Sequence, residues 1–274
     1  MPTKGSLMPS HSIDLAETLE AAEAEYLYTR VALIAGLPKN PYLAAVRRDG
    51  SLRSFGVAAS DSPMNNRICG LRLNDDKALH DLQPWFSAIG AIPRIPVIGR
   101  PSEVQAQAAR LKATSLRGWT HGQFAADVTS LPDASPCCPT RRIELDDVDA
   151  FTGIHANAFR TPKNKHDLAR NMFRALIKSD RAEAYAVELD GRDVAVGLVF
   201  FAENGVGYLA TAATDKAARR QGAHRALIAR RIAAARARGC RQIAATALPT
   251  SQSRRNLESM GLVLSHIQTL LVVA

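Results

Sequence analysis

The sequence predicts an α/β (α+β) protein with a mixed, mostly antiparallel sheet flanked by helices. Three observations lead there. Residues 184–189, 194–202 and 206–214 are apolar runs joined by Asp190-Gly191 and Asn204-Gly205, dipeptides that favour tight hairpins. On both sides of this meander, helical periodicities alternate with further short apolar runs. The chain is 46% hydrophobic and 22% charged without excess Gly or Pro, a composition that packs cores rather than staying disordered. Its 274 residues suffice for one large or two ordinary domains.

Residues 12–35 predict a long helix. Ser12 is its candidate N-cap, and Gly36 and Pro38 end it. Leu15, Leu19, Ala22 and Tyr26 recur at helical spacing, with Glu17, Glu20 and Glu23 between them. Residues 42–47 and 51–58 read as strands joined at Asp49-Gly50, and residues 67–73 as another apolar run. Residues 75–89 have helical spacing through Leu79, Leu82 and Phe86, with Pro84 as an expected break. Residues 94–98 read as a strand that Pro96 confines to a sheet edge. A helix over 102–112 follows. Residues 130–140 mix Pro, Ser and Asp and form the candidate linker. The expected division is therefore 1–129, a linker at 130–140, and 141–274.

From Arg142 a short strand reaches Leu145, and helices cover 146–159 and 165–177. The meander comes next. Residues 223–238 read as a helix with Leu227, Ile228, Ile232 and Ala235 on its apolar stripe and Gly239 as its stop. Arg231 lies close to that stripe, so it must snorkel or find a partner. A strand over 242–248, a helix over 251–260 closed by Gly261, and a last strand region over 262–273 complete the order.

Composition narrows the function classes. The formal charge is +9 and the pI about 9.7. Aromatics are only 5% and no nucleic-acid motif appears, so scattered basicity is favoured over nucleic-acid binding. Cys69, Cys137, Cys138 and Cys240 form no C-x-x-C pair, which predicts neither a zinc site nor a disulfide framework. The expectation is no metal, no membrane span and a cytoplasmic protein. Residues 205–210 match G-x-G-x-x-A, yet the following Thr211-Ala212-Ala213-Thr214 continues a strand where a dinucleotide loop must open a helix. His121, His155, His166 and His266 read as surface or satisfied core residues.

Residues 208–228 organise the second half. A strand passes through a basic turn, residues 216–221, into an Ala/Arg helix near Gly222. A helix start offers unpaired N–H groups and partial positive charge, and Arg219 and Arg220 bracket it. These are the makings of a phosphate site. The spacing Arg219-x-x-Gly222-x-His224 resembles the pyrophosphate loop of the GNAT (Gcn5-related) N-acetyltransferases. Residues 251–262, with Asn256 on a helix followed by Gly261, resemble the family's late motif. The element order from about Arg141 is also that of the GNAT fold. The first half carries no such loop, so the chain resembles a tandem GNAT protein with a degenerate N-terminal copy.

The resemblance implies an acetyl-CoA-dependent N-acetyltransferase acting on a small-molecule amine. The alternative is a non-catalytic acyl-CoA binder or sensor; a homodimer is compatible with either. It implies that the diphosphate sits on Gln221, Gly222, Ala223 and His224, with Arg219 and Arg220 adding charge. Pantetheine would pair with Ala212, Ala213 and Thr214, and Asn256 would contact CoA. Two departures stand out. His224 replaces a Gly or Ala, and Leu257 stands where many relatives carry the Tyr that protonates the thiolate. Tyr208 is then the candidate proton donor, and Glu203 (with Glu188 beside it) the candidate base. Arg160, Lys163 and Lys165, between the two helices that shape the family's acceptor site, suit an anionic acceptor.

Overall fold

The computed structural model describes residues 10–71, 75–133 and 135–273. In chain order the first half gives α1 (Ser10–Ala35), β1 (Ala44–Asp49), β2 (Leu52–Val57), β3 (Arg67–Cys69) and α2 (Asp76–Ile89). It continues with β4 (Arg94–Ile98), α3 (Pro101–Arg110) and β5 (Ala113–Asp127). The second half begins with β6 (Thr140–Arg142), α4 (Val148–Phe159), α5 (His166–Lys178), β7 (Ala182–Leu189) and β8 (Arg192–Phe201). It ends with β9 (Val206–Tyr208), β10 (Ala212–Thr214), α6 (Ala223–Ala237), β11 (Gln242–Ala247), α7 (Gln252–Ser259) and β12 (Val263–Val273).

The described strands form one 12-stranded sheet in the order β1-β2-β3-β4-β12-β5-β11-β9-β8-β7-β6, with β10 also paired to β8. Most pairs are antiparallel; β3–β4 and β9–β11 are parallel. The mixed, mostly antiparallel sheet flanked by helices is the one expected. Its continuity across both halves is not. β5, absent from the sequence reading, separates β11 from β12. Its first residues are mostly polar and interrupted by Gly118 and Gly122, so they show little apolar alternation.

Several expectations change. Pro84 lies inside α2 rather than breaking it. β4 is not an edge strand: β12 pairs with it along 94–98. However, β3 touches it only at Arg94, so Pro96 has no second ladder to disrupt. Ser12 lies within α1, not at its cap. Of the run at 67–73, residues 72–74 lie outside the described residues. Asp190 and Gly191 both have positive φ (51° and 73°), as the hairpin reading requires.

Helix α1 is the centre of the molecule. Leu19, Leu27, Val31 and Ile34 are fully buried in a core shared with α4, α5 and strands of both halves. Glu23, read as a polar spacer, is only 3% exposed. Its Oε1 accepts from Arg67 Nη1 at 3.1 Å, and its Oε2 from Gln123 Nε2 at 3.2 Å and Gln268 Nε2 at 2.9 Å. The donors come from β3, β5 and β12. This burial is tolerable because the charge is paired and its lone pairs are filled. A second core lies on the other sheet face, between the strands and α6 and α7. Among the described residues no helix is long and apolar enough to cross a membrane.

Candidate active site

The predicted strand 206–214 is two strands. The parallel ladder between β9 and β11 ends at Tyr208 opposite Ala244, and Leu209 N–H donates to Ala244 O at 2.7 Å. The backbone then turns: Thr211 has φ 44°, and Leu198 N–H is shared by Ala210 O and Thr211 O, each at 3.1 Å. β10 resumes against β8 alone, while residues 245–247 of β11 continue against β5 alone. The two strands diverge, and the β10 edge away from β8, at Ala212, Ala213 and Thr214, pairs with no described strand and carries only small side chains.

Arg231 fixes this divergence from below. It is 1% exposed, on the face of α6 that packs on the sheet. Its Nε donates to Leu227 O at 3.0 Å, and its Nη1 to Leu198 O at 3.2 Å and Ala210 O at 3.1 Å. Those last two carbonyls flank the break. Burial lowers the guanidinium pKa to about 9, so it remains a cation at neutral pH. The partner that the sequence required for Arg231 is the broken strand itself. Gly197 leaves it room: a Cβ there would lie 3.1 Å from Arg231 Cζ. Gly207 serves similarly, since a Cβ would meet Ala235 Cβ at 2.6 Å and lift α6 from β9.

Beyond β10 a 3-10 turn, Lys216–Ala218, leads to the start of α6. Gly222 is the N-cap with φ 86°, and no side chain caps the helix. The first helical bond runs from Ala226 N to Gly222 O. The N–H groups of Ala223, His224 and Arg225 precede it and have no helical acceptor. Arg219, Arg220 and Gln221 are exposed beside them. The cation-flanked helix start expected from sequence is thus present, adjacent to the gap. The candidate linker contributes here: Cys137 Sγ lies 3.5 Å from Gly222 O, and Cys138 Sγ 3.4 Å from Gln221 O. Both thiols contact carbonyls and leave the amides free.

His224 and Asn256 join the two motifs. Asn256 Nδ2 lies 2.8 Å from His224 Nδ1. An amide nitrogen only donates, so His224 accepts and carries its proton on Nε2. Burial, then the Arg231 charge, lowers the His224 pKa to about 4. Asn256 Oδ1 accepts from Gln252 Nε2 at 3.0 Å, so Asn256 braces α7 against α6. Ser251 caps α7 by accepting from Arg254 N at 3.2 Å. Leu257 is buried in the core beneath.

On the opposite face of the break, Tyr208 OH reaches across to β11 and lies 2.5 Å from Thr246 Oγ1. Thr246 donates to Gln123 Oε1 at 3.0 Å, so the tyrosine is the donor to Thr246. Burial raises the Tyr208 pKa well above 10, which keeps the hydroxyl protonated. The structure does not bring Glu203 to this point. Glu203 lies in the β8–β9 turn, at the other end of β9, paired with Arg181 at 3.3 Å. It lines a hollow of about 260 Å³ with Arg238 and Cys240 there. Glu188 is at the far end of β7. Lys165 Nζ donates to Ala59 O at 2.9 Å, tying the loop between α4 and α5 to the first half. Among the described residues no cluster of His, Cys, Asp and Glu could hold a metal ion.

Sequence reasoning missed Glu23, Tyr26, Arg30, Arg67, Gln123 and Thr246. They surround the far side of the break and come mostly from the first half. Only Tyr26 bore a signal, a polar tip on an apolar helical stripe.

Comparison with known proteins matches part of the second half to a family model and the fold to solved structures. Residues 144–246 match the family model described as acetyltransferase (GNAT) domain. A GCN5-related N-acetyltransferase from Kribbella flavida superposes with a TM-score of 0.60 at 16% identity, covering 89% of this chain and 95% of that one. A tandem GNAT protein from the clavulanic acid biosynthesis pathway gives 0.59 at 12% identity, covering 96% and 95%. A GNAT-family acetyltransferase from Colwellia psychrerythraea gives 0.55 at 11%, covering 100% of both chains. A search of curated proteins returns no match.

Proposed function

We propose that this protein, whose residues 144–246 match the model of the GNAT acetyltransferase domain, is an acetyl-CoA-dependent N-acetyltransferase acting on a small amine. One observation carries the reading: the gap between β10 and β11 runs directly into an uncapped, cation-flanked helix start. A thioester ligand with a diphosphate at one end and an amide-rich arm matches that shape and chemistry. The diphosphate takes the N–H groups near Gln221, Gly222, Ala223 and His224, with Arg219 and Arg220 beside it. The arm pairs with Ala212, Ala213 and Thr214 as an added strand. We read the first half as a second GNAT-like copy that has kept its strands and lost this loop.

The neutral amine attacks the thioester carbon. The C–N bond forms, the C–S bond breaks, the ammonium proton passes to solvent, and the thiolate is protonated in turn. A backbone N–H at the break supports the developing oxyanion. In this reading Tyr208 turns its single O–H from Thr246 toward the leaving sulfur and keeps its proton, with solvent completing protonation. No step is routed through Glu203.

The second reading, a non-catalytic acyl-CoA sensor, draws on Leu257, which is core and donates no proton. Two measurements separate these readings. CoA at about 100 times its dissociation constant stabilises the folded state by about 2.7 kcal/mol. For a chain of this size that is roughly 5–10 °C in melting temperature. Gly222→Asp, which places a carboxylate where the diphosphate belongs, removes the shift. No shift for the unmodified protein refutes both readings. A shift without CoA release on any amine of a broad library favours the sensor.

A further inference from the structure

The acceptor must approach the break from the face opposite α6, and that face is built by α1 and α4. Tyr26 OH lies 2.9 Å from Thr211 Oγ1, at the turn of the broken strand, and its ring is 5.6 Å from that of Tyr208. One helical turn on, Arg30 extends over the Tyr26 ring, with Cζ 5.7 Å from its centroid. Its Nη1 is 3.5 Å from Tyr26 OH and its Nη2 bonds Asn65 Oδ1. Both partners are neutral. Arg30 Nε is buried without a partner. Across from it on α4, His155 packs on Phe159 and Phe173 and feels the Arg30 charge. Its Nδ1 is also buried without a partner.

Arg94 shares the buried, unpartnered Nε, while several other enclosed arginines are compensated. Arg67 pairs with Glu23, Arg181 with Glu25, and Arg141 with Asp147 and Asp193. Arg231 donates to three carbonyls. Among the described residues, Arg30 has no carboxylate in salt-bridge contact. A partly enclosed guanidinium with an unused N–H, next to a second unsatisfied polar atom, favours an anion from outside the chain. One planar cation matches one planar monoanion, which points to a carboxylate rather than a phosphate.

We propose that the acceptor is a small amino-carboxylate whose carboxylate docks on Arg30, beside His155 and Tyr26, while its amine points to the break at Thr211. This inference rests on the N-acetyltransferase reading. The test uses CoA-saturated protein and matched probes: N-acetylated common amino acids and their carboxamides. At least one carboxylate should bind tenfold or more tightly than its amide, read as an added thermal shift and by calorimetry. Arg30→Met should abolish that preference and Arg30→Lys retain part of it, while both keep the shift due to CoA alone. Equal binding of acids and amides, no binding of any acid, or discrimination that survives Arg30→Met overturns the assignment. Loss of the CoA shift in unmodified protein would instead sink the acetyltransferase reading, and this inference with it.

Discussion

Gly222→Ala tests the loop geometry without adding charge. At φ 86° an L-residue is strained by about 1–2 kcal/mol. The new Cβ would also lie 2.9 Å from Cys137 Sγ. Ordinary non-bonded contacts sit near ~3.5–4.0 Å, so something must retreat by several tenths of an ångström. Overpacking costs about 1–3 kcal/mol in a tight core; Cys137 is exposed, so about 1 kcal/mol is expected. The sum, about 2–3 kcal/mol, corresponds to roughly 4–12 °C in melting temperature. In a Cys137→Ala background the collision disappears and the backbone strain remains. The two substitutions should therefore couple by about 1 kcal/mol in a double-mutant cycle read by urea unfolding. The single Gly222→Ala protein should also give a smaller CoA shift, because its helix start relaxes away from the bound geometry. Additive substitutions, or a Gly222→Ala protein as stable and as responsive to CoA as the parent, would refute the reasoning.

Three further outcomes are expected. Glu23→Ala leaves Arg67 charged and buried without a partner, costing about 3–5 kcal/mol in urea unfolding, with part recovered by adding Arg67→Met. Tyr208→Phe should lower acetyl transfer by tenfold or more while leaving the CoA shift unchanged; equal turnover would remove Tyr208 from the chemistry. His224 titrates near 4 in the folded chain and at about 6.5 unfolded, so the unfolded state takes the proton first. Its contribution is complete above pH 6.5 and is lost as pH falls through 4, on the order of 3 kcal/mol. His224→Gln should flatten that part of the stability–pH curve relative to the parent, and an unchanged slope would contradict the assignment.

What the sequence disclosed, and what it withheld, divides along local versus distant causes. The turn at Asp190-Gly191, the helix stop at Gly239 and the helix start at Gly222 depend on neighbours in the chain, and each lies where its residues placed it. The break at Thr211 does not. Residues 206–214 look like one apolar strand, and they divide because Arg231 takes the Ala210 and Leu198 carbonyls. Glu23 illustrates the same limit. Its spacing on α1 resembles that of Glu17, which is exposed, yet its side chain is enclosed by residues 44, 100 and 245 positions away. Arg30 and Tyr26 could be placed on a helix but not beside a strand that follows some 185 residues later.

The position of β12 has a consequence for how the chain matures. Residues 268–272 are the bridge through which β1–β4 join the rest of the sheet, with β4 on one side and β5 on the other. Until that segment emerges and inserts, two long ladders stand unfilled, and such open ladders invite neighbouring chains. Shortening the chain before residue 263 should therefore yield aggregates rather than a smaller folded protein, and assembly should be slow because its decisive pairing is among the most distant in sequence.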